Sequence, residues 1–382
     1  MSMLLTVLRN ADVHAPEPLG RQDLLLGGGY VLAMAARLDV PAGTLEVDAE
    51  GAIVCPGFVD SLVHLSGGGG EGGFGTRTPA LADARDAFRA GITTAIGALG
   101  TDDVTRSLAD LLACARALAL QGLTAPVLTG SYRVPVCTLT GSIRSDLVLI
   151  PDMIGVGEVA IADHRGSHPC PDELARIGAD ARVGGMLAGK AGRVLIHVGD
   201  AEEGLAILHE TTRRHPLPAS QWHPTHLNRH SGLLAQAPAW VGVGGSVDLT
   251  ASTTPELVAA GDIPAARALA SLLAQGMPAS RITMSSDGHA SLPDFDEDGV
   301  LRGLSVAPLG SLMLAVREAV NTHGIPLATV LETVTRTPAR IWGLPDKGQV
   351  KVGAAADLLV LAPGTLALRA TFAGGRLFRF AD

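Results

Sequence analysis

Hydrophobic positions change their rhythm twice along the chain. Near the start, short alternating runs at Leu4–Arg9, Asp23–Leu26 and Tyr30–Ala35 are broken by turns, which predicts β-strands. The end of the chain has the same texture at Ala356–Leu361, Leu366–Ala373 and Arg376–Phe380. Between these ends, longer segments with helical spacing are predicted at Pro79–Ala90, Val104–Leu120, Asp172–Ala188, Glu203–Arg213, Ile263–Gln275 and Leu309–Asn321. They alternate with β-like runs at Thr93–Ala98, Ala125–Thr129, Val194–Val198, Val241–Val247 and Ile282–Ser285. Strand–helix alternation predicts a parallel sheet. An open doubly wound sheet is the competitor, but no GxGxxG follows a first strand, and Gly67–Gly70 leads into Glu71 without a helix start. The expected architecture is α/β: a (β/α)8 TIM-like barrel over residues 55–345, with a small β-sandwich built from both termini, residues 1–54 and 346–382.

The length of 382 residues accommodates one barrel plus a small domain. Hydrophobic residues reach 47% while aromatics are only 3%, so aliphatic side chains fill the core. The formal net charge is −9 and no basic run occurs, which argues against nucleic acid as a partner. No uninterrupted apolar stretch reaches membrane-spanning length, and the N-terminal run lacks the basic flank of a signal peptide. Cys55, Cys114, Cys137 and Cys170 are widely spaced without CxxC, the pattern of buried thiols in a reducing, cytoplasmic setting rather than of a disulfide frame.

Chemistry concentrates where apolar β runs end. Val194–Ile196 runs into His197, the His223–Thr225 segment into His226, and Ile282–Ser286 into Asp287; His64 and Glu158 occupy comparable places. Parallel barrel strands deliver their C-terminal residues to one mouth, so ligands distant in sequence converge there. A catalytic zinc needs three protein ligands and an open position. Each histidine taken alone reads as structural; the set at strand ends reads as a metal site and hence a hydrolase. Zinc is the default ion, with Mn, Co or Fe compatible with the same ligand types.

The string Cys55–Asp60 followed by Val63-His64-Leu65 resembles the first barrel strand of the amidohydrolase superfamily. Gly67–Glu71, Leu128–Tyr132, Ala162–Arg165, Pro224–Arg229 and Ser285–Gly288 resemble its isoaspartyl dipeptidase (β-aspartyl peptidase) branch. That resemblance implies hydrolysis of β-aspartyl dipeptides by a metal-activated water, with Asp287 handling the proton and Tyr132 donating to the oxyanion. It implies that Arg165 and Arg229 clamp carboxylates, that Glu71 holds the substrate ammonium, and that Gly69, Thr101 and Ser291 touch substrate. It also implies a homo-oligomer, an octamer in that branch. Two departures stand out. The family's first strand carries His-x-His, whereas Leu62-Val63-His64 keeps one imidazole; and Glu158 stands at the position of a bridging carboxylated lysine. Ligand counting therefore predicts one tightly held ion on Glu158, His197 and His226, as in N-acetylglucosamine-6-phosphate deacetylases, with a weaker second position at His64, Asp287 and the shared Glu158. Alternative readings are an N-acyl amino acid deacetylase, a cyclic amide hydrolase, or a weakly active homologue because of Leu62.

Overall fold

The computed structural model describes residues 5–296, 298 and 300–380. The expected strand start at Leu4 and the outermost ends of the terminal domain, residues 1–4 and 381–382, lie outside the described residues.

Five strands open the chain: β1 (Thr6–His14), β2 (Pro18–Gly27), β3 (Tyr30–Ala35), β4 (Leu45–Asp48) and β5 (Ile53–Pro56). Eight short strands follow: β6 (Phe58–Val63), β7 (Ile92–Gly97), β8 (Val127–Thr129), β9 (Met153–Ile161), β10 (Arg193–Val198), β11 (Trp222–Thr225), β12 (Val247–Thr250) and β13 (Ile282–Ser285). A hairpin, β14 (Ser291–Phe295) and β15 (Leu301–Val306), sits after the last of them. The chain ends with β16 (Leu358–Leu361), β17 (Leu368–Ala373) and β18 (Arg376–Arg379).

Strands β6 to β11 pair in sequence order and in parallel, and β12 pairs with β13. The ring is continued by Leu227 N–H donating to Asp248 O at 3.2 Å and by His64 N–H donating to Gly288 O at 2.9 Å. The result is a TIM-like barrel with helices between its strands. Sequence order and spatial order coincide over β6 to β11, as consecutive parallel strands joined by direct crossovers usually do.

The barrel interior is divided. Leu62, Ile96, Leu128, Ile154 and Leu195 from β6 to β10 pack with Trp342 into an apolar plug. The β11–β13 side is polar: Asp248 accepts from the hydroxyls of Thr225, Thr283 and Ser285, at 2.5–2.7 Å. His223 continues that network to Ser246 and Thr283.

The termini form one continuous eight-stranded sheet in the order β18-β17-β16-β5-β1-β2-β3, with β4 also on β1. Among the described residues these strands are linked by hydrogen bonds into one sheet, so the expected sandwich is not confirmed; β5 and β16 pair directly and join both chain ends. The expected boundary at residue 54 falls inside β5, so Cys55 and Pro56 belong to the terminal sheet and the barrel begins at Phe58.

One expected strand is replaced. Val241–Val247 reads as β because of its valines, yet Ala237–Gly242 is helical and β12 starts only at Val247. Pro238 falls at the helix start, where its missing N–H costs nothing. Gly245 then lets the backbone pass against the buried Trp240 indole, where a Cβ would lie 2.3 Å from Nε1. Trp240 donates to Ser246 O at 3.2 Å. Tertiary packing of one tryptophan overrides local β preference.

Candidate active site

The strand ends meet as the alternation of parallel strands dictates. Leu62 and His64 are two residues apart, so both face the barrel axis; Leu62 lies in the plug and His64 one layer higher, at the mouth. Glu158, from β9, is 1% exposed. His226 directly follows β11 and Asp287 comes two residues after the end of β13; they adopt φ of +65° and +52°. Non-glycine residues in the left-handed region cost about 1 kcal/mol or more and concentrate at functional sites.

Glu158 Oε1 lies 3.0 Å from His197 Nδ1 and 3.2 Å from His226 Nε2. Ligand-type atoms of these three residues all fall within 4.8 Å of one another. Glu158 Oε2 is buried without a hydrogen-bond partner. A buried, unsatisfied carboxylate oxygen is costly, so the geometry suits a cation between these groups. Burial opposes ionisation of Glu158, but bonds to His197 and His226 outweigh it and hold its pKa below the usual range. His226 is pushed down to about 4, first by burial and then by the neighbouring His197, and so is a neutral imidazole with a lone pair for a metal.

The outer nitrogens are fixed by partners. His226 Nδ1 is 2.5 Å from Thr250 Oγ1. His197 Nε2 lies 2.8 Å from Asp163 Oδ2, which leaves its Nδ1 facing Glu158. Asp163 also receives Arg165 through two contacts of 2.9 and 2.6 Å. Hence one buried carboxylate orients both an inner histidine and a rim guanidinium.

His64 Nε2 stands 3.1 Å from Asp287 Oδ1 and 3.8 Å from Glu158 Oε2. The pair flanks the three-residue cluster without joining it. Tyr132 Oη is 2.7 Å from His197 Nδ1, and its ring stacks at 4.3 Å on that imidazole. Burial raises the Tyr132 pKa well above 10, so it remains a proton donor.

Above these groups opens a cavity of about 350 Å³. Gly69, Glu71, Thr101, Arg165, Arg229 and Ser291 all line it, as do His64, Tyr132, His197, His226 and Asp287, while the buried Glu158 touches it only through His197 and His226. Glu71 pairs with His164 at 2.9 Å and reaches Arg165 at 3.5 Å. Arg229 faces the cavity, where Asp262 is an acidic neighbour felt at a distance. Ser291 Oγ is buried without a partner at the same wall.

A protein-family model described as the amidohydrolase family matches residues 53–376. The chain belongs to the amidohydrolase family. Among solved structures this amidohydrolase is similar to a β-aspartyl dipeptidase of Fervidobacterium islandicum AW-1 in complex with a β-Asp-Leu dipeptide. That pair shares 38% identity, with 98% of this chain and 97% of the other covered and a TM-score of 0.90. Similarity to an N-acetylglucosamine-6-phosphate deacetylase of Pasteurella multocida is in fold alone, at 14% identity, 99% and 100% coverage and a TM-score of 0.64. A dihydroorotase of Citrifermentans bemidjiense is 24% identical over 378 residues, 89% of this chain and 85% of the relative.

Sequence reading assigned no role to Asp163, Thr250, Asn228 or Asp262, although each supports or lines the cavity. Asp163 was visible inside the Ala162–Arg165 string, but its use depends on the distant His197. The apolar wall formed by Leu257, Leu292 and Phe295 had no sequence signal, since the β14–β15 hairpin was not anticipated.

Proposed function

We propose that this amidohydrolase hydrolyses the isopeptide bond of β-aspartyl dipeptides. The observation that carries the reading is the charge arrangement around one cavity. Two guanidiniums, Arg165 and Arg229, line it together with Tyr132 and the carboxylates of Glu71, Asp200, Asp262 and Asp287, of which Glu71 is carried by the glycine-rich loop. A β-aspartyl dipeptide offers the complement: two free carboxylates and one ammonium. Planar guanidinium groups bind carboxylates in a fork. The similar Fervidobacterium islandicum structure, which holds β-Asp-Leu, supports the same choice.

Glu158, His197 and His226 would hold one divalent ion, with zinc the default; the unpartnered Glu158 Oε2 and the neutral His226 fit that role. Such an ion supplies Lewis acidity and a water acidified to pKa about 7. The protein's own groups account for the remaining demands. Asp287 would accept the proton of the attacking water and deliver it to the departing amine. His64, 3.1 Å away, holds that carboxylate at the mouth. Tyr132, one rotation from its present partner His197, would donate to the oxygen that gains charge. Glu71 would exchange His164 for the substrate ammonium. Leu62 removes one imidazole from the second position, so His64 and Asp287 would hold a second ion only weakly.

The dihydroorotase relatives favour a second reading, opening of a cyclic amide. One assay separates the two. Metal-loaded protein is incubated with β-Asp-Leu, N-acetyl-leucine and dihydroorotate, and amine release or ring opening is followed. Turnover of β-Asp-Leu is expected, abolished in Glu158→Ala. Turnover confined to the acetylated or cyclic compound would overturn the proposal.

A further inference from the structure

Arg106 is 8% exposed, yet among the described residues no carboxylate lies within 4.0 Å of it. Its guanidinium is spent on backbone carbonyls. Nε and Nη2 donate to Gly68 O at 3.1 and 2.8 Å, Nη2 donates to Thr78 O at 2.7 Å, and Nη1 donates to Ser66 O. All three acceptors belong to the two arms of the loop that carries Gly69, Gly70 and Glu71 into the cavity. Burial lowers the pKa of this guanidinium from its usual value, but it remains a cation. A buried charge is costly unless it is hydrogen-bonded, and here the nearest acidic groups, Asp102 and Asp110, act only at a distance while the contacts go to carbonyls.

The same loop is clasped from the opposite side. Gly68 N–H donates to Thr78 Oγ1 at 2.6 Å, and Thr78 Oγ1 donates to His289 O at 2.5 Å. Gly67 has φ +83°, and a Cβ there would lie 2.4 Å from Thr78 O and 2.9 Å from Arg106 Nη2. Four consecutive glycines have no side chains to hold one conformation, and each has the greatest backbone entropy to lose. Fixation must come from elsewhere, and Arg106 together with Thr78 supplies it.

We propose that Arg106 is a positioning residue: it pins the Gly67–Gly70 segment so that Glu71 stands ready for the substrate's α-ammonium group. The inference rests on the reading of Glu71 given under Proposed function. Arg106 reaches the three carbonyls from three separate nitrogens of a rigid plane, whereas lysine offers its donors from one nitrogen on a flexible stem, so equal charge does not replace it.

The test compares two substrates: β-Asp-Leu and its des-amino analogue succinyl-leucine, which lacks only the ammonium. In the metal-loaded full-length enzyme, Arg106→Lys should raise KM for β-Asp-Leu about tenfold or more and leave succinyl-leucine nearly unchanged, while bound metal stays at the wild-type level. In a Glu71→Gln background the Arg106→Lys change should add little. Hydrogen exchange should speed up at Gly67–Gly72 and not at β9 or β10. Thr78→Val, a smaller change, should shift both readouts in the same direction and carries the test if Arg106→Lys does not fold. Equal losses on both substrates, or unchanged exchange in the loop, would overturn the proposal. If wild-type protein fails to cleave β-Asp-Leu, the functional reading falls, and the exchange measurement still decides whether Arg106 fixes the loop.

Discussion

At the scale of single residues, Leu62 and Asp163 define what the site can hold. Leu62 is fully buried against Trp342 and Ile96, one layer below His64. A histidine there would put an imidazole into hydrocarbon, at a cost of about 1–3 kcal/mol when unpartnered. Leu62→His is therefore expected to lower the melting temperature of metal-free protein and to raise the metal retained after dialysis from about one equivalent toward two. Unchanged retention would show that the missing imidazole is not what weakens the second position. Asp163 acts by orientation. Asp163→Asn keeps the shape but loses the charge behind His197, and metal affinity should fall about 10–100-fold, measured by chelator competition. His197 and His226 stand out because each lies at the end of an apolar β run, a signal contained within five or six residues, whereas Glu158 lies inside β9 and was marked by the family resemblance. Asp163, Thr250 and Arg106 were not legible, because their partners lie tens of residues away and are fixed only by folding.

At the scale of elements, strand identity was readable and strand edges were not. The segments at Arg193–Val198 and Ile282–Ser285 fall where their β-branched runs place them. Val241–Val247 failed because glycines around a buried tryptophan give a helix and turn the same residues that suggest a strand. The polar side of the barrel has a measurable consequence. Burial pushes Asp60 up to about 7, against bonds from Ser286 N–H and Leu62 N–H and with Asp248 nearby adding to the rise. Its ordinary value is 3.8. The folded protein thus keeps a proton that the unfolded chain has released, so this residue's contribution to stability is full below about pH 4 and is lost as pH rises through 7. Asp60→Asn, neutral at every pH, should narrow the loss of stability between pH 5 and 8 in denaturant titrations. A wild-type and a variant curve that stay parallel across that range would contradict the assignment.

At the scale of the whole molecule, the barrel and the terminal sheet depend on each other. Thr371 Oγ1 donates to Phe88 O at 2.8 Å, and Leu359 packs near Gly91 and Phe58 of the barrel. A chain ending at residue 345 loses β16 to β18 and leaves this apolar flank in water. Such a truncation is expected to be aggregated or molten, seen as loss of a cooperative thermal transition; a sharp transition near that of the full chain would show that the barrel folds alone. The two-part organisation was legible because alternation at both ends differs from the helical middle. The single continuous sheet was not, since pairing of β5 with β16 joins residues some 300 positions apart.

That pairing makes a party wall. Along β16, Leu358 and Val360 look into the terminal core, while Leu359 and Leu361 look into the barrel's; along β5, Val54 takes the first side and Ile53 and Cys55 the second. Because successive side chains in a strand point oppositely, whether a lesion on β16 reaches the catalytic half or the appended half is decided by nothing more than whether its residue number is odd or even.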